Sequence, residues 1–171
     1  ARILTMRIPP RFKSPPRVDL VPFNPMTQSS LFPDPQALYT KVILRRKDFD
    51  ALFEGFASLK AVSYVVSPDL LLEFFDRGYE KVEVVVGENL SERYRQDLAQ
   101  KGPGVTQKLA ERMVGDKLKI FVPDRTIHTK LYLLERPGQR RVIVTSANLT
   151  ETARDARRQV NYAWYTDLQP E

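Results

Sequence analysis

From about Leu38 onward, apolar and β-branched runs alternate with amphipathic stretches, and this alternation constrains the fold more than any other feature of the chain. KVIL at 41–44 predicts a short strand, and Phe49, Leu52, Phe53 and Phe56 come next at helical spacing. AVSYVVS at 61–67 reads as a buried strand. Ser67 then stands at a cap position with Pro68 at the first helical residue, Leu70, Leu71, Phe74 and Phe75 share one face, and Gly78 stops the helix. KVEVVVG at 81–87 predicts a third strand, and Leu90, Tyr94 and Leu98 mark another helix. KGPG at 101–104 breaks the chain before an amphipathic stretch carrying Val105, Leu109 and Met113. Three strand candidates come next: KLKIFV at 117–122, HTKLYLLE at 128–135 and RVIVTS at 141–146. RPGQR joins the last two as a hairpin, and a short helix from Leu149 and a strand, VNYAWYT, complete the pattern. The expectation is an α/β domain over 37–171, with a mixed, largely parallel sheet flanked by helices on both faces.

Residues 1–36 obey a different rule. They hold eight of the thirteen prolines and five basic residues before the first acid, Asp19, with neither a helical nor a strand period. Such a segment builds no core of its own, so it reads as an extended, Pro-rich basic arm. It serves either as a strap or linker or as a contact to nucleic acid, and Phe12, Val18, Leu20, Val21 and Phe23 indicate that part of it docks.

The 171 residues contain no cysteine and one histidine. A disulfide scaffold, a thiolate metal site and a zinc site built from several imidazoles of this chain are thereby excluded. The apolar runs are too short to span a bilayer, and the first residues lack a secretory signal, so a cytoplasmic protein without a membrane partner is expected. A net charge of +6 allows a phosphate-rich partner without requiring one. The chain begins at Ala1 rather than Met, as a piece of something longer would.

Strand alternation in HTKLYLLE sends His128 and Lys130 to the same face. The neighbouring hairpin strand places Ser146 and Asn148 two apart at its end, just before the short helix. Imidazole, ammonium, hydroxyl and carboxamide would then converge at one sheet edge, with free N–H groups at a helix start behind them. A phosphate ester fits such a place: a nucleophile, a cation and neutral donors for its oxygens. Each residue also has a plainer use. Lys130 can be simply solvated, and Asn148 with Glu151 fits a capping box.

H-T-K at 128–130, an acid at Glu135 and T-S-A-N at 145–148 resemble the HxK–Asp–Ser-x-Asn signature of the phospholipase D superfamily. The stretch ANLTETARDARRQVNYAW resembles the segment after that signature in nuclease-like members. Three departures stand out: Glu135 for Asp, Thr145 for the Gly before Ser, and Asn161 where a glutamate often lies in the last strand.

The resemblance implies a phosphodiesterase that works without metal or other cofactor, through a phosphohistidine. His128 would be nucleophile or acid, Lys130 and Asn148 would bind phosphate oxygens, Ser146 would support them, and Glu135 and Asn161 would have supporting roles. Two histidines are needed and one is present, so either a homodimer shares one site or the second half lies elsewhere in a longer chain. Arg140, Arg141, Arg154, Arg157 and Arg158 favour DNA as substrate, held by its backbone. The expected protein is therefore a nuclease, one domain of a larger helicase-, restriction- or repair-associated protein. An inactive, dimerising nucleic-acid-binding module is the alternative, and a phospholipid-hydrolysing enzyme a second one.

Overall fold

In the computed structural model, residues 38–88, 96, 99–155 and 157–168 are described. The expected arm over 1–36 lies outside them, as do Leu90, Tyr94 and Leu98 of the next expected helix, of which residues 96 and 99–101 are described and helical.

Seven strands form one mixed sheet: β1 (Tyr39–Ile43), β2 (Ser58–Ser63), β3 (Lys81–Val86), β4 (Leu118–Phe121), β5 (Leu131–Arg136), β6 (Gln139–Thr145) and β7 (Asn161–Leu168). Their spatial order is β1-β7-β6-β5-β2-β3-β4. Only β2–β3 and β3–β4 are parallel; the other pairings are antiparallel. The mixed α/β character agrees with the sequence, but "largely parallel" does not. The reason is local. Gly138, at φ +76°, closes a tight hairpin between β5 and β6, and β7 continues the antiparallel run.

The helices correct a second expectation. Three are described: α1 (Arg46–Asp50), α2 (Pro68–Asp76) and α3 (Pro103–Val114). α2 and α3 each cross between parallel strands that step the same way along the sheet, β2 to β3 to β4. Right-handed crossovers in one direction place successive helices on one face. Phe49, Phe53, Leu70, Leu71 and Phe74 accordingly share a single core with Leu59, Val82, Val84, Tyr132, Leu134 and Ile143 from the strands. The opposite face carries no helix among the described residues. Trp164, Val144, Leu131, Val62, Val85 and Phe121 lie directly opposite one another across six strands of it. Trp164, Val144 and Phe121 are exposed there. No described helix is long and apolar enough to cross a membrane.

Candidate active site

The site is organised around the end of β2, where the parallel strands finish and ligand sites of α/β sheets commonly lie. Ser63 is fully buried. Its Oγ donates to the Val65 carbonyl at 2.7 Å and accepts from Leu149 N–H at 3.0 Å, tying the end of β2 to the segment after β6. Asn148 Oδ1 accepts from Val65 N–H at 3.3 Å and from Ser63 Oγ at 3.4 Å. Its Nδ2 therefore points its donors elsewhere and has no protein partner among the described residues.

His128 and Lys130 are not yet in the strand; β5 begins at Leu131. Residues 126–130 form an irregular lead-in, fixed at Ile127 N–H to the Gly87 carbonyl (3.1 Å) and at Thr145 N–H to the Lys130 carbonyl (3.2 Å). Gly87 permits this approach, because a Cβ there would stand 1.8 Å from the Ile127 carbonyl oxygen. The His128 ring is exposed and stacks on Tyr64, with centroids 4.1 Å apart and planes 18° from parallel. Lys130 Nζ donates to the His128 carbonyl at 2.8 Å and lies 5.8 Å from the same Tyr64 ring. Asn148 is thus hydrogen-bonded to residues 63–65 and His128 stacks on Tyr64, while Lys130 is held by the His128 carbonyl beside that ring.

Ser146 and Asn161 form a neighbouring unit. Ser146 Oγ donates to Asn161 Oδ1 at 2.9 Å and accepts from Tyr162 N–H at 3.1 Å; Asn161 Nδ2 donates to the Ala153 carbonyl at 3.0 Å. The buried Asn161 is a neutral group that donates and accepts at once. Thr145 has an equally definite use. Its Oγ1 donates to the Tyr162 carbonyl at 2.6 Å and accepts from Ala147 N–H at 3.0 Å. Burial pushes the Tyr132 phenol up, keeping it protonated, and it donates to the Ala147 carbonyl. The backbone on either side of Asn148 is pinned by these bonds.

Two readings from the sequence change here, those of the helix and of two arginines, and Glu135 faces away from His128 as its offset from Lys130 implied. Glu135 lies at the far end of β5, paired with Arg140 at 3.1 Å, and is remote from His128 along the strand. The helix expected from Leu149 is a single 3-10 turn, Thr152–Arg154, and Asn148 bonds back to β2 instead of capping it. A helix dipole therefore does not stand behind the site. Among the proposed polyanion contacts, Arg154 is 1% exposed, bound to Asp50, Glu73 and Glu151 at 2.7–3.0 Å. Arg141 is bonded twice to Asp167 and to the Leu52 carbonyl. Neither guanidinium is available to a polyanion. Arg140, Arg157 and Arg158 are exposed, with Arg157 paired to Asp155. Arg157 and Arg158 line a cleft of about 520 Å³ together with Arg45 and Arg46, which the sequence did not single out.

Tyr64, Ser63 and Gly87 also went unnoticed as site residues. The one available signal was a polar pair interrupting AVSYVVS at the end of an otherwise apolar strand.

A family model described as tyrosyl-DNA phosphodiesterase matches residues 41–171. Among solved structures, a mutant of yeast tyrosyl-DNA phosphodiesterase 1 is similar at a TM-score of 0.56 and 16% identity, over 78% of this chain and 33% of that one. The unmutated yeast enzyme gives 0.53 and 17%, over 78% and 32%. Nuc, a phospholipase D family member from Salmonella typhimurium, gives 0.48 and 16%, over 80% and 86%. No curated protein sequence matches significantly. The chain spans about one third of the yeast enzyme's length.

Proposed function

The chain belongs to the tyrosyl-DNA phosphodiesterase family, within the phospholipase D superfamily, and from that premise we propose that residues 37–171 supply one half of a phosphodiesterase site acting on DNA. The observation that supports this most is the stacking of His128 and the hydrogen bonding of Asn148 on one short segment, 63–65, with Lys130 Nζ 5.8 Å from the same Tyr64 ring. A ring nitrogen of His128 attacks phosphorus, forming a P–N bond as the P–O bond to the leaving group breaks. A second imidazole donates its proton to the leaving oxygen, then accepts one from the water that cleaves the P–N bond. Lys130 Nζ and Asn148 Nδ2 hold the non-bridging oxygens, whose charge grows in the transition state. Neither step calls for a metal or other cofactor.

The family's name points to a diester between tyrosine and DNA. A phenol, with a pKa of about 10, is a far better leaving group than an alkyl alcohol, which eases the first displacement. The second imidazole comes from another copy of the chain in a homodimer, or from elsewhere in a longer, cytoplasmic DNA-processing protein. Exposed Arg158, with no ion-pair partner among the described residues, gives the DNA backbone a cationic approach, with Arg45 and Arg157 beside it.

The test uses an oligonucleotide bearing a 3′-phosphotyrosine, with plain single- and double-stranded DNA and a phospholipid as controls, all in EDTA. Wild-type protein is expected to cleave the tyrosyl diester, with mass in solution near twice 19.7 kDa if a homodimer completes the site. His128→Ala should lose at least about 10³-fold in kcat while still binding DNA. Binding by both with cleavage by neither supports the non-catalytic module, the reading that the single histidine favours. Cleavage that requires Mg²⁺ overturns the mechanism.

A further inference from the structure

Histidines that act on substrate are normally held by a hydrogen bond from one ring nitrogen to a carboxylate or carbonyl. Here the acid nearest in the motif, Glu135, is engaged with Arg140 at the other end of β5. Among the described residues no hydrogen bond reaches the His128 imidazole; its contact is the Tyr64 ring, face to face at 4.1 Å. We propose that Tyr64 is the positioning residue of this site, and that an aromatic face does here what a carboxylate does elsewhere. This rests on the catalytic reading above.

Three features support the assignment. Stacking fixes the plane of the imidazole while leaving its edge open, and the lone pair that must meet phosphorus lies in that plane. The Tyr64 ring also lies 5.8 Å from Lys130 Nζ, within the range at which an aromatic face attracts an ammonium. One side chain thereby sets both groups that face the phosphate. Finally, Tyr64 is itself anchored. Its carbonyl accepts from Glu88 N–H at 2.7 Å, and the residues on either side of it are hydrogen-bonded to Asn148. Tyr64 thus links the end of β2, to which Asn148 is hydrogen-bonded, with the irregular lead-in that carries His128. An unheld exposed imidazole would sample several rotamers, and a displacement of about 1 Å costs on the order of 100-fold in rate.

The chain's single histidine makes the test direct, since every imidazole resonance belongs to His128. In the 171-residue chain, the Tyr64 ring current should move the His128 ring protons upfield of their position in Tyr64→Ala, with Tyr64→Phe close to wild type. On the tyrosyl-oligonucleotide, Tyr64→Ala should lower kcat by about 100-fold with KM changed much less, and Tyr64→Phe should recover most of it. A shifted resonance with unaltered kcat in Tyr64→Ala would overturn the positioning role, and so would an unshifted resonance. Equal losses in Tyr64→Ala and Tyr64→Phe would instead make the hydroxyl the active part and overturn the stacking argument. If wild type cleaves nothing, the catalytic reading falls and positioning falls with it. The resonance still reports whether the ring is stacked, so the two failures are told apart.

Discussion

His128 and Lys130 stand at the end of the sheet with no carboxylate against them among the described residues, whereas Arg154, on the connection from β6 to β7, lies under the protein surface among three carboxylates. The two places handle positive charge in opposite ways. Around Arg154 the charges cancel: Asp50, Glu73 and Glu151 meet Arg154, with Arg46 and Arg77 closing the outside. Beside His128 the Lys130 charge meets one carbonyl and an aromatic face, which neutralise nothing. A phosphate arriving at the first cluster would have to displace carboxylates. At the second it would supply the missing counter-charge. Density of arginine therefore does not locate an anion site; unneutralised charge does.

The largest effect expected from breaking this contrast is on stability. Arg154→Ala should cost about 3–5 kcal/mol in denaturant unfolding, because it leaves partly buried carboxylates without their shared cation. A cost below about 1 kcal/mol would make the cluster an ordinary surface network.

A smaller effect is expected in acid. Burial pushes the Glu73 carboxyl up, but hydrogen bonds from Arg46 and Arg77 and the charge of Arg154 outweigh it and hold the group below its usual range. The Arg141 hydrogen bond does the same for Asp167. Carboxyls lowered in the folded state contribute stability that is complete above their unfolded pKa, about 4, and lost as pH falls through the folded value. Melting temperature should thus be insensitive to these groups above about pH 5 and decline below about pH 4. In Arg154→Ala the decline should be shallower, since Glu73 loses one of its cations and its folded pKa moves back toward the unfolded one. Identical acid limbs in the two proteins would refute the coupling.

The smallest effect belongs to the exposed arginines. Arg158 has no ion-pair partner among the described residues, so Arg158→Ala should weaken DNA binding less than about tenfold and reduce the salt slope by about 1. Arg141→Ala should leave that slope unaltered and lower stability instead.

The strand and helix periods were readable because each element buries one face, and burial imposes a period of two or of 3.6. Phe49, Phe53, Leu70 and Phe74 entered the core as their spacing implied. The paired motif was equally readable, since His128, Lys130 and Asn148 stand at intervals that a hairpin and its flanks convert into proximity. The partners of those residues were not. Tyr64 lies far from His128 in sequence, and nothing in AVSYVVS says that its ring turns toward a chain segment two strands on. Gly87 looks like the end of a strand, and only the close approach of Ile127 shows why a side chain would be excluded there. Arg154 and Arg158 are equivalent in composition, and their different fates depend on whether carboxylates from α1 and α2 reach them.

Local pattern, then, determined which stretches became strands and helices and which three polar residues would gather at a sheet edge, because both depend on side-chain period and hairpin connection. Strand order, the shared face of the described helices and the aromatic support of the imidazole were settled by tertiary packing. Each of these is a relation between segments distant in the chain, and direction of crossover and closeness of approach have no signature in any one of them.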